Sequence, residues 1–385
     1  MRKHERIRGL IRSPLLAWEI LGRGDYHFVY DQMPITIRNM SLEKRINLVK
    51  SGMNLIHRRL TPWSMPLHMQ FELTNFCNLK CPVCPTGLRA VSRKKLAMPV
   101  SHFKQILDEV GPYLLTASLW GWGESLLHPD LGAMLAETKK HPFISFLSTN
   151  GQNLDDDRVI QAIIDHPPTY LIVALDGLTD EINSKFRVGA RLAPALEGVR
   201  RISEWKKKSG SVLPILHMRF IAMKHNEHEV PDLVRFAEDH HFDFLTVRTL
   251  SMIHTDASND TYQSFIPETT RLSAYQYNEG RRISKQDFYC LEPFWLPTLF
   301  ADGTLVNCIH DYNAELSLGK LSVSNSFREL WFGDQSRTQR RKIRDHSMDL
   351  YFCRMCPARD RDTTDASIKA YYLNKQIDYA NIGSF

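Results

Sequence analysis

The sequence predicts an α/β protein built as a partial (β/α)6 barrel, with a basic helical N-terminal extension and a small C-terminal domain rich in cysteine. Three observations carry this prediction. Between residues 68 and 250, apolar β-rich runs alternate six times with helical runs. Ahead of that array lies a segment of different character, strongly basic and without the alternation. The seven cysteines fall into one group of three at the head of the array and one of four beyond residue 289. The expected divisions are therefore 1–66 (extension), 67–250 (barrel), 251–289 (bridge) and 290–385 (cysteine-bearing domain and tail).

Residues 1–66 hold twelve Lys or Arg against five Asp or Glu, a net +7, although the whole chain carries only +6. In residues 1–24, Ile7, Leu10, Ile11, Leu15, Trp18 and Leu21 recur at roughly helical spacing among Arg2, Lys3, Arg6, Arg8 and Arg12, with Pro14 interrupting. Such a segment is suited to lying on a membrane surface. Packing on the body, or dimerisation, would use the same pattern. An extended stretch at Tyr26–Tyr30 precedes a second helix, expected from the N-cap Ser41 to Leu60, before Pro62. No reader motif accompanies the basic residues, so nucleic acid is not an expected partner. A phosphate-bearing substrate or a membrane surface suits them better. No run of 18 apolar residues occurs, and the first residues lack a secretory signal's apolar stretch and cleavage site. The expected location is cytoplasmic, with contact at the cytoplasmic face of a membrane through residues 1–24 left open.

Strands are expected at 68–74, 114–121, 143–149, 169–176, 215–223 and 243–250. Helices are expected near 100–111, 129–140, 155–165, 193–208 and 227–240. Six units are fewer than the eight that close a barrel, so the sheet should stay open. Sites in such sheets form at the C-terminal strand ends, and the three cysteines follow the first strand. After a polar bridge, Asp302-Gly303 predicts a hairpin whose second strand carries Cys308. A helix near 326–344 then leads to Cys353 and Cys356.

Cys77-Asn78-Leu79-Lys80-Cys81-Pro82-Val83-Cys84 has the spacing C-x3-C-x2-C. Three thiolates on one loop can each bind one iron of a cubane, leaving the fourth iron open. Zinc is the alternative, but it takes four ligands and no histidine stands nearby to complete the set. Seven thiols in a reducing compartment point to metal binding rather than disulfides.

This arrangement resembles the radical S-adenosylmethionine (radical SAM) superfamily over residues 68 to about 250. The resemblance implies a [4Fe-4S] cluster on Cys77, Cys81 and Cys84, and S-adenosylmethionine on the open iron. It also implies a 5′-deoxyadenosyl radical as the agent that abstracts hydrogen, and a reducing donor such as flavodoxin or ferredoxin. Gly121-Trp122-Gly123-Glu124 resembles the family's Gly-Gly-Glu turn for the methionine ammonium, with Trp122 at an often-glycine position. Ser148-Thr149-Asn150-Gly151 resembles its ribose turn, and Val173 to Gly177 its fourth-strand motif, with Ala174 where serine is common. Lys185 to Gly189 matches a segment whose arginine reaches the cofactor carboxylate. Val83 departs from the usual aromatic. The implied cofactor residues are Gly123, Glu124, Ser148, Asn150, Asp176 and Arg187. Read alone, each glycine marks a turn and Arg187 an ordinary ion pair. His217, Arg219 and Arg248 are polar residues within apolar runs and are the catalytic candidates. His217 and Arg219 share one strand face. Structural ion pairing is the competing reading for each.

Cys290, Cys308, Cys353 and Cys356, with Gly303 ahead of Cys308, resemble the SPASM extension in its shortened, twitch form. That implies one auxiliary [4Fe-4S] cluster with all irons ligated; a structural zinc would use the same four thiols. An electron relay beside the radical site suits a two-electron oxidation, such as a secondary alcohol to a ketone, of a small or carbohydrate-like substrate. The substrate could bear a phosphate, nucleotide or lipid. An epimerase is a rival, though no spare thiol remains to return hydrogen, leaving Tyr312 or the cofactor product. A peptide-modifying maturase is another rival, set lower because no multi-stranded leader-binding domain is evident in residues 1–66. A non-catalytic iron-sulfur carrier or scaffold is the remotest reading.

Overall fold

The structure, a computed structural model, describes residues 14–30, 32–251, 259–285, 288–322, 325–363 and 365–384. Helix α1 (14–23), strands β1 (Tyr26–Tyr30) and β2 (Met33–Arg38), and helix α2 (Leu42–His57) precede the barrel. The Ser41 side chain caps α2 by accepting from Lys44 N.

The barrel is β3 (His68–Phe71), α3 (Val100–Val110), β4 (Thr116–Leu119), α4 (Leu131–Thr138), β5 (Ile144–Thr149), α5 (Asp157–Asp165), β6 (Tyr170–Ala174), α6 (Asp180–Phe186), α7 (Leu192–Ser209), β7 (Ile215–Ala222), α8 (Leu233–Asp239) and β8 (Phe244–Thr249). Strands β3 to β8 pair in sequence order, all parallel. The six expected strands are all present. Alternation along each strand divides the residues between two faces. Met69, Phe71, Ala117, Leu147, Leu171, Met218 and Val247 pack outward with Phe103, Ile106 and Leu107 of α3 and with the other helices. Burying each large member contributes about 2 kcal/mol. Inward, at the N-terminal strand ends, Phe146, Tyr170, Ile172, Ile215 and Phe244 form a second core with Met33, Ile35 and Ile37 of β2. Tyr30 stacks on Phe146 with ring centres 4.4 Å apart. The extension thus closes the bottom of the barrel, leaving the C-terminal strand ends as the mouth.

The remaining elements are α9 (Asn259–Gln263), β9 (Tyr277–Asn278), β10 (Arg281–Arg282), β11 (Thr298–Leu299), β12 (Thr304–Val306), β13 (Ser317–Lys320), α10 (Phe327–Phe332), α11 (Asp334–Asp345), α12 (Tyr351–Arg354), α13 (Pro357–Asp360), β14 (Ser367–Tyr372) and β15 (Gly383–Ser384). The sheet is not closed. Its ten strands run β13-β12-β11-β3-β4-β5-β6-β7-β8-β14, so the chain after residue 290 covers both barrel edges. β11 lies parallel to β3, and β14 lies antiparallel to β8.

Four expectations need correction. The extension is not helical apart from one extended stretch: β1 and β2 form a hairpin that β15 joins. Met33, Ile35 and Ile37 are buried at alternate positions, the signature of a half-covered strand. The helix expected over 326–344 is broken at Gly333 into α10 and α11. Cys308 lies two residues past β12 rather than on it. Helix α2 ends at His57, three residues short of Leu60, with Arg58 left-handed at its C-cap. The N-terminal half of the segment read as residues 1–24, and part of the polar bridge (252–258), lie outside the described residues.

Candidate active site

Each site residue is placed by a strand of the barrel. The loop after β3 carries Cys77, Cys81 and Cys84, all free and partly exposed. It is held on both sides: Lys80 N donates to Val188 O at 3.1 Å, and Cys84 N donates to Cys81 O at 3.2 Å. Gly87 is required here, because a Cβ would lie 2.2 Å from Cys81 O. The Cys77 sulfur accepts from Leu79 N at 3.4 Å and from Asn150 Nδ2 at 3.6 Å, contacts that suit an anionic thiolate. Burial pushes the Cys77 thiol up to about 11 and the Cys81 thiol up to about 12, with Arg187 opposing the rise at Cys81.

The turn after β4 brings Gly121 to Glu124 beside this loop. Gly123 passes so close to Thr74 that a Cβ would meet Thr74 O at 2.2 Å. Glu124 is buried and its carboxylate is committed, accepting from Leu126 N (3.0 Å) and Asn150 N (2.8 Å). Burial pushes its carboxyl up, and those N–H groups act in the other direction. Asn150, after β5, hydrogen-bonds Asn78 Oδ1 at 2.8 Å, tying the second loop to the cysteine loop. Ser148 is the only residue of β5 that is not buried. Asp176, after β6, is fully buried and pairs with Arg187 through Nε to Oδ2 at 2.7 Å, and its other oxygen accepts from Ile221 N at 2.8 Å. Glu124 and Asn150 therefore lie beside Cys77, and Asp176 and Arg187 beside Cys81, with the two carboxylates oriented as supports.

A further group of residues ties this mouth to the second set of cysteines. Glu72, buried past the end of β3, makes a bidentate pair with Arg93 at 2.7 and 2.8 Å. It also accepts from Trp122 N and Ala301 N, both at 3.2 Å. Arg93 Nε donates to Tyr312 O at 2.7 Å, and the guanidinium lies 3.7 Å over Phe300. Trp122 Nε1 donates to Ile309 O at 2.8 Å, and its ring meets Tyr312 edge-on at 5.9 Å. Asn313 accepts from Ser92 N at 2.8 Å and donates to Ala90 O at 3.1 Å. Sequence reasoning missed Glu72 and Arg93. The readable signal was His68, Gln70 and Glu72 recurring at every second residue of an apolar run.

Residues 71–237 match the family profile described as the Radical SAM superfamily. The chain carries a radical SAM domain. A tungsten-containing aldehyde ferredoxin oxidoreductase cofactor-modifying protein of Pyrococcus furiosus is 23% identical over 231 residues, which is 59% of this chain and 63% of that protein. A PqqA peptide cyclase of Granulibacter bethesdensis is 24% identical over 176 residues, 45% of this chain and 44% of that protein. The matches thus span less than two thirds of either relative. Among solved structures, Streptococcus suis SuiB bound to S-adenosylmethionine superposes with a TM-score of 0.55 at 14% identity, covering 85% of this chain and 84% of SuiB. That likeness is one of fold.

The radical SAM domain implies a [4Fe-4S] cluster and S-adenosylmethionine, and its residues fit them. Three free thiols sit on one loop, amide donors point at Cys77, and glycines admit the close passes. The second cysteine group is also drawn together. Cys290, Cys353 and Cys356 line a cavity of ≈ 200 Å³, and Cys308 lies close enough to Cys290 and Cys356 for their charges to interact. Burial pushes the Cys353 thiol up to about 12 and raises those of Cys290 and Cys308 well above the ordinary thiol range. Of the catalytic candidates, His217 is fully buried, hydrogen-bonded to Thr246 at 2.7 Å and packed against Phe244 in the floor of the barrel. Arg219 and Arg248 are half-buried on the inward faces of β7 and β8, with Arg219 5.8 Å from Trp120. The structure therefore sets His217 below the mouth and the two arginines nearer to it.

Proposed function

We propose that the protein is a radical SAM maturation enzyme that takes a hydrogen atom from a C–H bond of a peptide or cofactor precursor admitted at the barrel mouth. In this reading Cys290, Cys308, Cys353 and Cys356 hold an auxiliary [4Fe-4S] cluster. The observation that carries it is the joining of the two cysteine groups at one mouth. Trp122, within the Gly121–Glu124 turn, bonds directly to the 308–313 loop, and Arg93 bonds to the same loop. When bound, the first cluster and S-adenosylmethionine supply the 5′-deoxyadenosyl radical, and a fully ligated second cluster supplies a one-electron acceptor. Among the described residues no three Cys, His, Asp or Glu side chains converge closely enough to hold one metal ion.

The chain's own residues hold and orient. Glu124 fixes Asn150, whose amide reaches Cys77 and the cysteine loop. Asp176 fixes Arg187, placing a cation beside Cys81. Arg219 and Arg248 offer positive charge to an anionic group of the substrate. A low-potential donor such as flavodoxin or ferredoxin would deliver the reducing electron.

The names of the relatives, one cofactor-modifying and one a peptide cyclase, support a maturase over a small-alcohol dehydrogenase. The ground for setting a peptide substrate lower also weakens, since the extension contains a β-hairpin, which β15 (residues 383–384) extends to three strands. A labelling experiment separates the two readings. The reduced enzyme is incubated with S-adenosylmethionine and fractions of an extract from cells grown in deuterated medium. Deuterium in 5′-deoxyadenosine from the peptide or cofactor-precursor fractions supports maturation. Label from small sugar-like alcohols alone would overturn it in favour of the dehydrogenase.

A further inference from the structure

Half of the chain's strongly exposed large apolar side chains among the described residues fall in one short stretch, residues 15–46, all within the extension. Leu15 (71% exposed), Trp18 (68%) and Leu21 (40%) lie on α1. At 100° per residue they occupy one arc of about 120°. Leu16, Ala17 and Ile20 occupy a separate arc, and Ile20 is the residue of α1 that is buried in the body. α1 therefore has two apolar faces, and the body uses only one.

Exposed apolar residues also stand on the start of the next helix, which is tied to α1. Arg45 of α2 donates to Leu21 O at 3.1 Å and to Met40 O at 2.7 Å, fastening the end of α1 to the first turns of α2. There Leu42 (64% exposed) and Ile46, one helical turn apart, are also exposed. A monomer rarely leaves so many large apolar groups together in water without a partner.

The neighbouring charge indicates which partner. The thirteen residues leading into α1, which lie outside the described residues, contain Arg2, Lys3, Arg6, Arg8 and Arg12 against Glu5 alone. No helix among the described residues is long and apolar enough to cross a membrane. A short helix with an exposed Trp and Leu face, preceded by a net charge of +4, has the character of an interfacial anchor on an anionic lipid surface. A second copy of this chain would meet the apolar residues, but like-charged leading segments would repel each other. Glu19 and Glu43 are the acidic residues of the two helices near the face, and Glu43 is engaged by Tyr113 at 2.6 Å.

We propose that α1 and the first turn of α2 dock the protein on anionic membrane surfaces, with Trp18 and Leu21 in the headgroup layer, the net positive charge of the leading sequence favouring anionic over neutral lipid. This inference is independent of the proposed reaction. The test is sedimentation of the full-length holoenzyme with sucrose-loaded vesicles of phosphatidylcholine alone or mixed with phosphatidylglycerol. Binding to the mixed vesicles should be at least tenfold tighter than to phosphatidylcholine and should fall at least tenfold in 0.5 M salt. Trp18→Asp with Leu21→Asp should lower it at least tenfold while the melting temperature and iron content stay unchanged, both positions being exposed. Equal binding to the two vesicle types, or equal binding by the variant, would overturn the proposal. So would an absence of vesicle binding together with a dimer that the variant dissociates, which would assign the face to a second copy.

Discussion

Replacing Arg93 by methionine tests the clamp between the two cysteine-bearing regions. The Glu72 side chain is wholly enclosed, and Arg93 supplies two of its four hydrogen bonds, the others coming from Trp122 N and Ala301 N. Removing one partner of a buried ion pair costs about 3–5 kcal/mol, because a carboxylate is left in a low dielectric. The two remaining N–H donors place Glu72 at the lower end of that range. Loss of the Arg93–Tyr312 hydrogen bond adds about 1 kcal/mol. Methionine keeps much of the packing on Phe300, so the total is about 4 kcal/mol, close to a thousandfold in the folding equilibrium. The assay is urea denaturation of Arg93→Met, Glu72→Gln and the double variant. The double variant removes both charges and should be more stable than the sum of the single losses predicts, by about 2 kcal/mol. Amides of residues 308–313 should also exchange faster in Arg93→Met. A cost below about 1 kcal/mol, or strict additivity in the cycle, would refute the clamp.

Three further perturbations follow from the same geometry. Trp122→Phe keeps a ring against Tyr312 but leaves Ile309 O without its donor, so a loss of about 1–2 kcal/mol is expected in the same urea assay; no loss would remove Trp122 from the bridge. Gly123→Ala forces a Cβ to 2.2 Å from Thr74 O; it should cost about 1–3 kcal/mol or more and reduce iron loading, read by thermal melting and iron content. Burial pushes His68, held by Thr116 and Ser118, down to about 3. The unfolded chain binds this proton below about pH 6.5 and the folded chain does not, so stability should fall by about 1.4 kcal/mol per pH unit from there towards pH 3. His68→Gln should flatten that slope by about one proton, and an unchanged slope would contradict the assignment.

The six barrel strands were legible because each is a short β-rich run buried on both faces, and parallel strands covered by helices have that composition. Helix α6 was not, since its seven residues include only two apolar ones, Ile182 and Phe186, too few to show a period. β2 and β15 were missed for a different reason: their pairing joins residue 37 to residue 383, a partnership that no local pattern announces. The cysteine groups could be read from count and spacing, and the motif residues from their places at strand ends. How those motifs support one another could not. Glu124 and Asp176 read as ligand residues, whereas the fold commits their carboxylates to Asn150 and to Arg187. Trp122 read as a departure from glycine, and the structure gives it a role, because its indole N–H reaches Ile309 O of the 308–313 loop.

The central claim is that the Cys77–Cys84 loop and the turns around it form a site that cleaves S-adenosylmethionine reductively. The direct measurement is 5′-deoxyadenosine formation by anaerobically reconstituted, chemically reduced protein, compared with Cys81→Ala and with Cys353→Ala. Wild type and Cys353→Ala should both form the product, while Cys81→Ala should form none. Absence of product from wild-type protein with its iron-sulfur absorbance intact, or equal product from Cys81→Ala, would contradict the account.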